Sequence, residues 1–286
     1  MMLVAAQLAA AELKVDHVTV AGRSLSEMRK RFASVGIRTE FGGKHSNGMT
    51  EMALASFPDG SYLELMAAQP GASLAGDEWR EFIEKQAGPC GWAIRVADME
   101  AEAERLNRAG ITLDPAAGGR QRPDGVPLRW TTADIIGPGL RGSFFPFLIE
   151  DETPRAQRVY LHGRPSAPAF GGVALVVVAV RDLDGAVERW RAVFGLAAPE
   201  RSTDDWFGAR LAWFPGTPVV LAAAQGPDSW IAARLRAFGE APCAFVLRAS
   251  GGLPKSAKHS RGTWFGHAIG WFDPAALAKA RIGVQQ

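Results

Sequence analysis

Three side chains in the first half of the chain have the types and settings to grasp a divalent ion: His17, Glu64 and Glu150. Glu64 lies in Tyr62-Leu-Glu-Leu-Met66, directly after the turn Pro58-Asp59-Gly60. Proline presets φ, aspartate bonds its own backbone and glycine accepts positive φ, so a tight turn feeds a short strand here. A charge inside an apolar strand is costly unless it is paired or bound to metal. An imidazole with two carboxylates is the ligand set of a first-row divalent ion with open positions. Nitrogen and oxygen donors without thiolate favour Fe(II), Mn, Ni or Zn. The same residues admit plainer readings. His17 is then a satisfied core histidine, Glu64 pairs with Arg95 or Arg129, and Glu150 turns outward beside Asp151.

The elements that must position these groups read as two βαβββ units. Lys14–Val20 alternates as a strand with Val15, His17 and Thr19 on one face. Ser24-Leu-Ser-Glu27 is a capping box, and Leu25, Met28, Phe32 and Val35 follow at helical spacing until Gly36. The loop Gly42–Gly48, with His45, leads to a strand over Thr50–Phe57. The second unit starts at Cys90–Val96, with a helix over Asp98–Ala109 and strands over Leu128–Thr131 and Phe144–Glu150. A linking helix over Glu78–Gln86 joins the two units. The stretch 151–170 holds three prolines and no period, so it reads as a linker by composition.

The first half then returns. Leu175–Leu183 tracks His17–Leu25 without a gap, and Phe214–Leu221 tracks the turn and strand around Glu64. Asp228-Ser-Trp230 matches Asp77-Glu-Trp79, Pro242-Cys243 matches Pro89-Cys90, and Arg261–Gly270 matches Arg141–Glu150. Ordered matches of this kind mark a tandem duplication. In this alignment His17 faces Leu175, Glu64 faces Leu221, Glu150 faces Gly270, and Gly91 faces Ala244. His267 falls opposite Phe147. One copy thus holds a costly polar trio where the other is apolar, so the fold itself does not require the trio. The expected organisation is a module over 12–150, a linker over 151–170, and a degenerate copy over 171–286.

Asp16-His17-Val with its helix, and Phe57-Pro-Asp-Gly-Ser-Tyr-Leu-Glu64-Leu, resemble the vicinal oxygen chelate superfamily. Gly42-Gly-Lys-His45, Thr50, Gly91-Trp92 and Arg122-Pro-Asp-Gly-Val-Pro-Leu-Arg-Trp130 are similar to its glyoxalase-like branch. The resemblance implies an α+β fold of tandem βαβββ modules forming cupped mixed sheets around a metal. The family's first, fourth and eighth strands give a His, a Glu and a Glu, places that His17, Glu64 and Glu150 fit. Gly91 leaves the fifth strand's place without a ligand, so the site binds its ion one ligand short or has lost it. His45, Thr50, Trp92, Arg122 and Trp130 would surround the substrate. Indole supplies an apolar wall with one donor, and guanidinium suits a carboxylate or enolate oxygen. Read alone, His45 is a solvated loop residue and Arg122 a surface charge. The implied function is a metalloenzyme acting through neighbouring substrate oxygens, of lyase, isomerase or dioxygenase type. The alternative is a non-catalytic binder of the bleomycin-resistance type.

Bulk properties set the frame for these expectations. The chain has 286 residues, 47% hydrophobic and 22% charged, which is a globular composition long enough for two domains. A net charge of +2 gives no electrostatic case for nucleic acid or an anionic membrane. No apolar run reaches the ~20 residues of a membrane span. Cys90 and Cys243 are too few for a disulfide framework and have no CxxC spacing, so they read as core residues. Met1–Ala11 is apolar but short and lacks a basic start, which makes a cytoplasmic monomer or homodimer the expectation over a signal segment.

Overall fold

The computed structural model describes residues 13–286, so the reading of Met1–Ala11 lies outside the described residues. The first half runs β1 (Lys14–Ala21), α1 (Leu25–Ser34), β2 (Glu40–Lys44), β3 (Thr50–Ser56) and β4 (Tyr62–Ala68). After α2 (Arg80–Glu84) it repeats as β5 (Gly88–Arg95), α3 (Met99–Arg108), β6 (Ala116–Gln121), β7 (Pro127–Ala133) and β8 (Phe147–Asp151). A short helix, α4 (Arg155–Val159), precedes the second half. That half runs β9 (Phe170–Val180), α5 (Leu183–Phe194), β10 (Glu200–Asp204), β11 (Ala209–Trp213) and β12 (Val219–Ala224). It closes with α6 (Trp230–Phe238), β13 (Ala241–Ala249), β14 (Ser260–Trp264), β15 (His267–Trp271) and β16 (Arg281–Gln285).

The strands form two eight-stranded mixed sheets of the same order, β2-β3-β4-β1-β5-β8-β7-β6 and β10-β11-β12-β9-β13-β16-β15-β14. This is an α+β fold, duplicated along the chain, with two cupped sheets. Strand alternation sends one set of side chains to the helix-bearing face and the other into the cup. In β4, Leu63 and Leu65 pack with Val18, Val20 and the α1 residues Met28 and Phe32 in the core. Tyr62, Glu64 and Met66 line the cup instead. Ser24 caps α1 by accepting from the Glu27 amide at 3.3 Å. The capping box stays half-made, because the Glu27 carboxylate pairs with Lys30 rather than reaching back.

The helix-bearing faces of both halves share one apolar core. Trp92 of β5 stacks on Trp190 of α5, with ring centroids 5.9 Å apart, and Phe145 meets Phe194 at 5.9 Å. Arg234 of α6 ties the halves at a second point, donating to the carbonyls of Ala87, Pro89 and Pro242. Cys90 and Cys243 are buried and free beside it, their thiols pushed up to about 12 chiefly by burial.

Two parts of the repeat alignment, and the reading of 151–170, need correction. Glu64 pairs across with Thr19, whereas the residue paired with Val177 is Val220; Leu221 points into the core. The turn after Phe214 is one residue shorter than that after Phe57, which shifts the register by one and swaps faces. The counterpart of β8 is β16, since β8 pairs with β5 as β16 pairs with β13. The match of Arg141–Glu150 to Arg261–Gly270, and of Phe147 to His267, is therefore replaced; His267 is exposed at the start of β15. Finally, 151–170 is not featureless, because α4 docks against the first cup. No helix among the described residues is long and apolar enough to cross a membrane.

Candidate functional site

The cup of the first sheet encloses a cavity of about 650 Å³ with His17, His45 and Glu64 on one wall. Alternation puts His17 and Thr19 of β1 and Glu64 of β4 on the same face, and the Thr19–Glu64 register makes them neighbours. Thr19 donates to Glu64 Oε2 at 3.2 Å, and His17 Nε2 stands 3.6 Å from that oxygen. His45, carried by the loop after β2, has Nε2 3.2 Å from Glu64 Oε1 and Nδ1 2.7 Å from Thr50 Oγ1. Burial pushes the Glu64 carboxyl up, but the His45 hydrogen bond and the charges of His17, His45 and Arg120 outweigh it. The net effect holds it at about 2. Glu64 is therefore an ionised acceptor near neutrality.

Behind His17 lies Asp16, fully buried, whose Oδ1 is 2.7 Å from His17 Nδ1. Burial raises the Asp16 carboxyl, yet Arg158, Arg155 and His17 together hold it well below the usual carboxylate range. Both arginines come from α4, and Arg158 also binds Asp151 and donates to the Tyr62 hydroxyl at 3.1 Å. An ionised Asp16 accepts the proton of His17 Nδ1, leaving the Nε2 lone pair directed into the cup. The Tyr62 ring stacks on His17 at 4.9 Å and Phe147 meets it edge-on at 5.4 Å, which fixes the imidazole plane.

The residues expected to hold a metal do not all converge. His17 and Glu64 meet, but Glu150 accepts from the Met99 amide at 3.1 Å and caps α3. On β8 the cup-facing residues are Phe147 and Ile149, so strand phase turns Glu150 to the other face. At Gly91 an added Cβ would stand 2.6 Å from the Trp79 ring, so that indole fills the room of a fifth-strand ligand. No set of three or more His, Cys, Asp or Glu among the described residues is arranged to hold a metal ion. The residues present thus do not fit an ion held by three or four protein ligands.

Of the residues expected around a substrate, His45, Thr50 and Trp130 line the cup. Trp92 does not: it sits on the helix-bearing face of β5, fully buried against Trp190. Arg122 also turns away, donating to the carbonyls of Gln157 and Leu161 and to Asp124. Arg120, two residues earlier, takes the cup position instead and donates to the carbonyls of Gly42 at 2.6 Å and Arg158 at 3.2 Å. Burial lowers its pKa, while Tyr62 and Glu64 oppose that. Sequence reasoning also missed Asp16, Trp79 and Arg158. Asp16 adjoins His17 in the quoted motif, and Arg158 lies in 151–170, which reads as a linker from its prolines and lack of period.

The fold, tandem βαβββ units in cupped mixed sheets, is the one that the vicinal oxygen chelate resemblance implies. The chain belongs to the glyoxalase-like domain family, whose model matches residues 15–194 and so runs through α4. A hypothetical protein from Staphylococcus aureus is similar over 95% of this chain and 98% of its own, at 15% identity and TM-score 0.64. Methylmalonyl-CoA epimerase from Mycobacterium tuberculosis is similar over 41% of this chain and 88% of its own, at 21% identity and TM-score 0.35. No curated protein matches the chain.

Proposed function

We propose that the first cup binds a small anionic molecule and moves a proton on it, with His17 as the base. The observation that carries this reading is the chain Asp16–His17–Glu64–His45–Thr50. Asp16 fixes the His17 tautomer that presents Nε2 to the cup, the arrangement by which a carboxylate orients a catalytic imidazole. Glu64, at about 2, is too weak a base to take a proton from carbon near neutrality. Its role is to stabilise the imidazolium that forms 3.6 Å away, while His45 and Thr19 hold its two oxygens in place. Among the described residues Arg120 donates to carbonyls and forms no ion pair, although Glu64 lies within range of its charge, so it suits a substrate carboxylate. Trp79, Trp130 and Phe147 supply apolar walls. The reading is an isomerase- or lyase-type proton transfer that routes no step through a metal ion.

The test is deuterium wash-in from D₂O, followed by proton NMR, on small carboxylates with a C–H next to the acid group. The chain is treated with chelator beforehand. We expect exchange that His17→Ala lowers by ~10²-fold or more, the usual worth of a general base. A second reading, sequestration without turnover, is favoured by the Trp79 ring over Gly91 and by Phe147, which make that side of the cup apolar. Saturable binding with no exchange, equal in the wild type and His17→Ala, would select it.

A further inference from the structure

We propose that the cleft between the two halves is a second binding site, for a planar aromatic carboxylate that also carries an O–H or N–H donor. The proposal is independent of the first cup. The cleft has a volume of about 440 Å³ and is lined by Arg95 of the first half and by Trp213, Arg248, Phe265, His267 and Gln285 of the second. Its aromatic wall is built at a cost. Phe265 and Gly266 form the two-residue turn between β14 and β15 with φ of 49° and 82°. Such turns favour Asn-Gly or Gly-Gly, and a bulky residue in that conformation is strained. The conformation sets the Phe265 ring 5.3 Å from Trp213 at 33°, with the His267 ring 6.2 Å from Trp213 and perpendicular to it.

The polar groups are unspent. Arg248 is exposed, and its side chain makes no ion pair or hydrogen bond among the described residues. Arg95 donates Nη2 to the Asp59 carbonyl at 2.9 Å, but its buried Nε has no partner. Burial and the neighbouring Arg155 lower its pKa, with Asp59, Asp16 and Asp151 opposing. Among the described residues Asp59 is the one carboxylate lining the cleft, against the guanidinium groups of Arg95 and Arg248. Gln285 Oε1 is buried with no donor, a cost that a ligand O–H or N–H would remove. Two tilted rings, surplus positive charge and an orphaned acceptor together describe an aromatic acid bearing a donor.

The experiment is titration calorimetry of the full chain with 6-hydroxy-2-naphthoate, compared with 2-naphthol, which lacks the carboxylate. Wild type and His17→Ala should bind the acid with the same Kd. Arg248→Ala, a change at an exposed side chain, should weaken it about tenfold, the worth of one charge-assisted contact. Trp213→Leu should weaken the acid and 2-naphthol alike, and 2-naphthol should bind wild type about tenfold less tightly than the acid. Either of two results overturns the proposal. One is no saturable binding of the acid up to about millimolar concentration, the weak end of specific affinity. The other is binding that His17→Ala abolishes and Arg248→Ala leaves intact.

Discussion

Glu64 carries the clearest electrostatic signature of the first cup, and its sign can be worked out. Its carboxyl lies at about 2 in the folded chain against 4.5 ordinarily, so it binds its proton less readily when folded. The resulting stability is fully present above about pH 4.5 and is lost as pH falls toward 2, with a ceiling of roughly 3 kcal/mol. Urea unfolding at pH 6 and pH 3 should show a smaller acid loss for Glu64→Gln than for wild type. Equal losses in both would remove the role given to its neighbours. At this scale the sequence was informative where a polar residue stood in an apolar strand, as with His17 and Glu64. It was silent on Glu150, because one residue of strand phase decides between the cup and a helix cap.

Among the elements, α4 shows how a segment without pattern can still position a site. A five-residue helix is too short for helical periodicity to register, yet its Arg155 and Arg158 neutralise the fully buried Asp16. Arg158→Leu breaks a buried ion pair and leaves Asp16 with Arg155 alone, and it should cost about 3–5 kcal/mol in denaturant unfolding. Adding Asp16→Asn should recover part of the loss, whereas additive losses would place the two residues in separate roles. On β5, Gly91→Ala drives a Cβ into the Trp79 ring and should cost about 1–3 kcal/mol. Trp79→Leu should relieve it in the double variant; an unrelieved loss would mean that the ring does not occupy the place of the missing ligand. The strands and long helices were legible from alternation and capping. Register was not, because the turn after Phe214 is a residue shorter and the repeat continues into β16 rather than ending at β15.

For the whole molecule, duplication was readable from ordered matches, but the manner of joining was not. The Trp92–Trp190 stack and the Phe145–Phe194 contact cross from one half to the other inside a single core. The copy packs against the first half through that core, and its own cup is filled by Phe207, Trp264 and Trp271, whose rings lie 5.0–5.3 Å apart. The full chain should unfold in one cooperative transition, seen together by far-ultraviolet circular dichroism and tryptophan fluorescence. Residues 1–169 alone should expose half of the core and fail to give a cooperative transition. Two separated transitions in the full chain would contradict a shared core.

The most direct test of the account is the ¹⁵N spectrum of the histidine side chains, assigned with His17→Ala and His45→Ala, before and after chelator treatment. The account predicts a His17 ring protonated at Nδ1 toward Asp16, with His17 and His45 signals unchanged when metal is removed. Coordination shifts at either ring that vanish on chelation would contradict it.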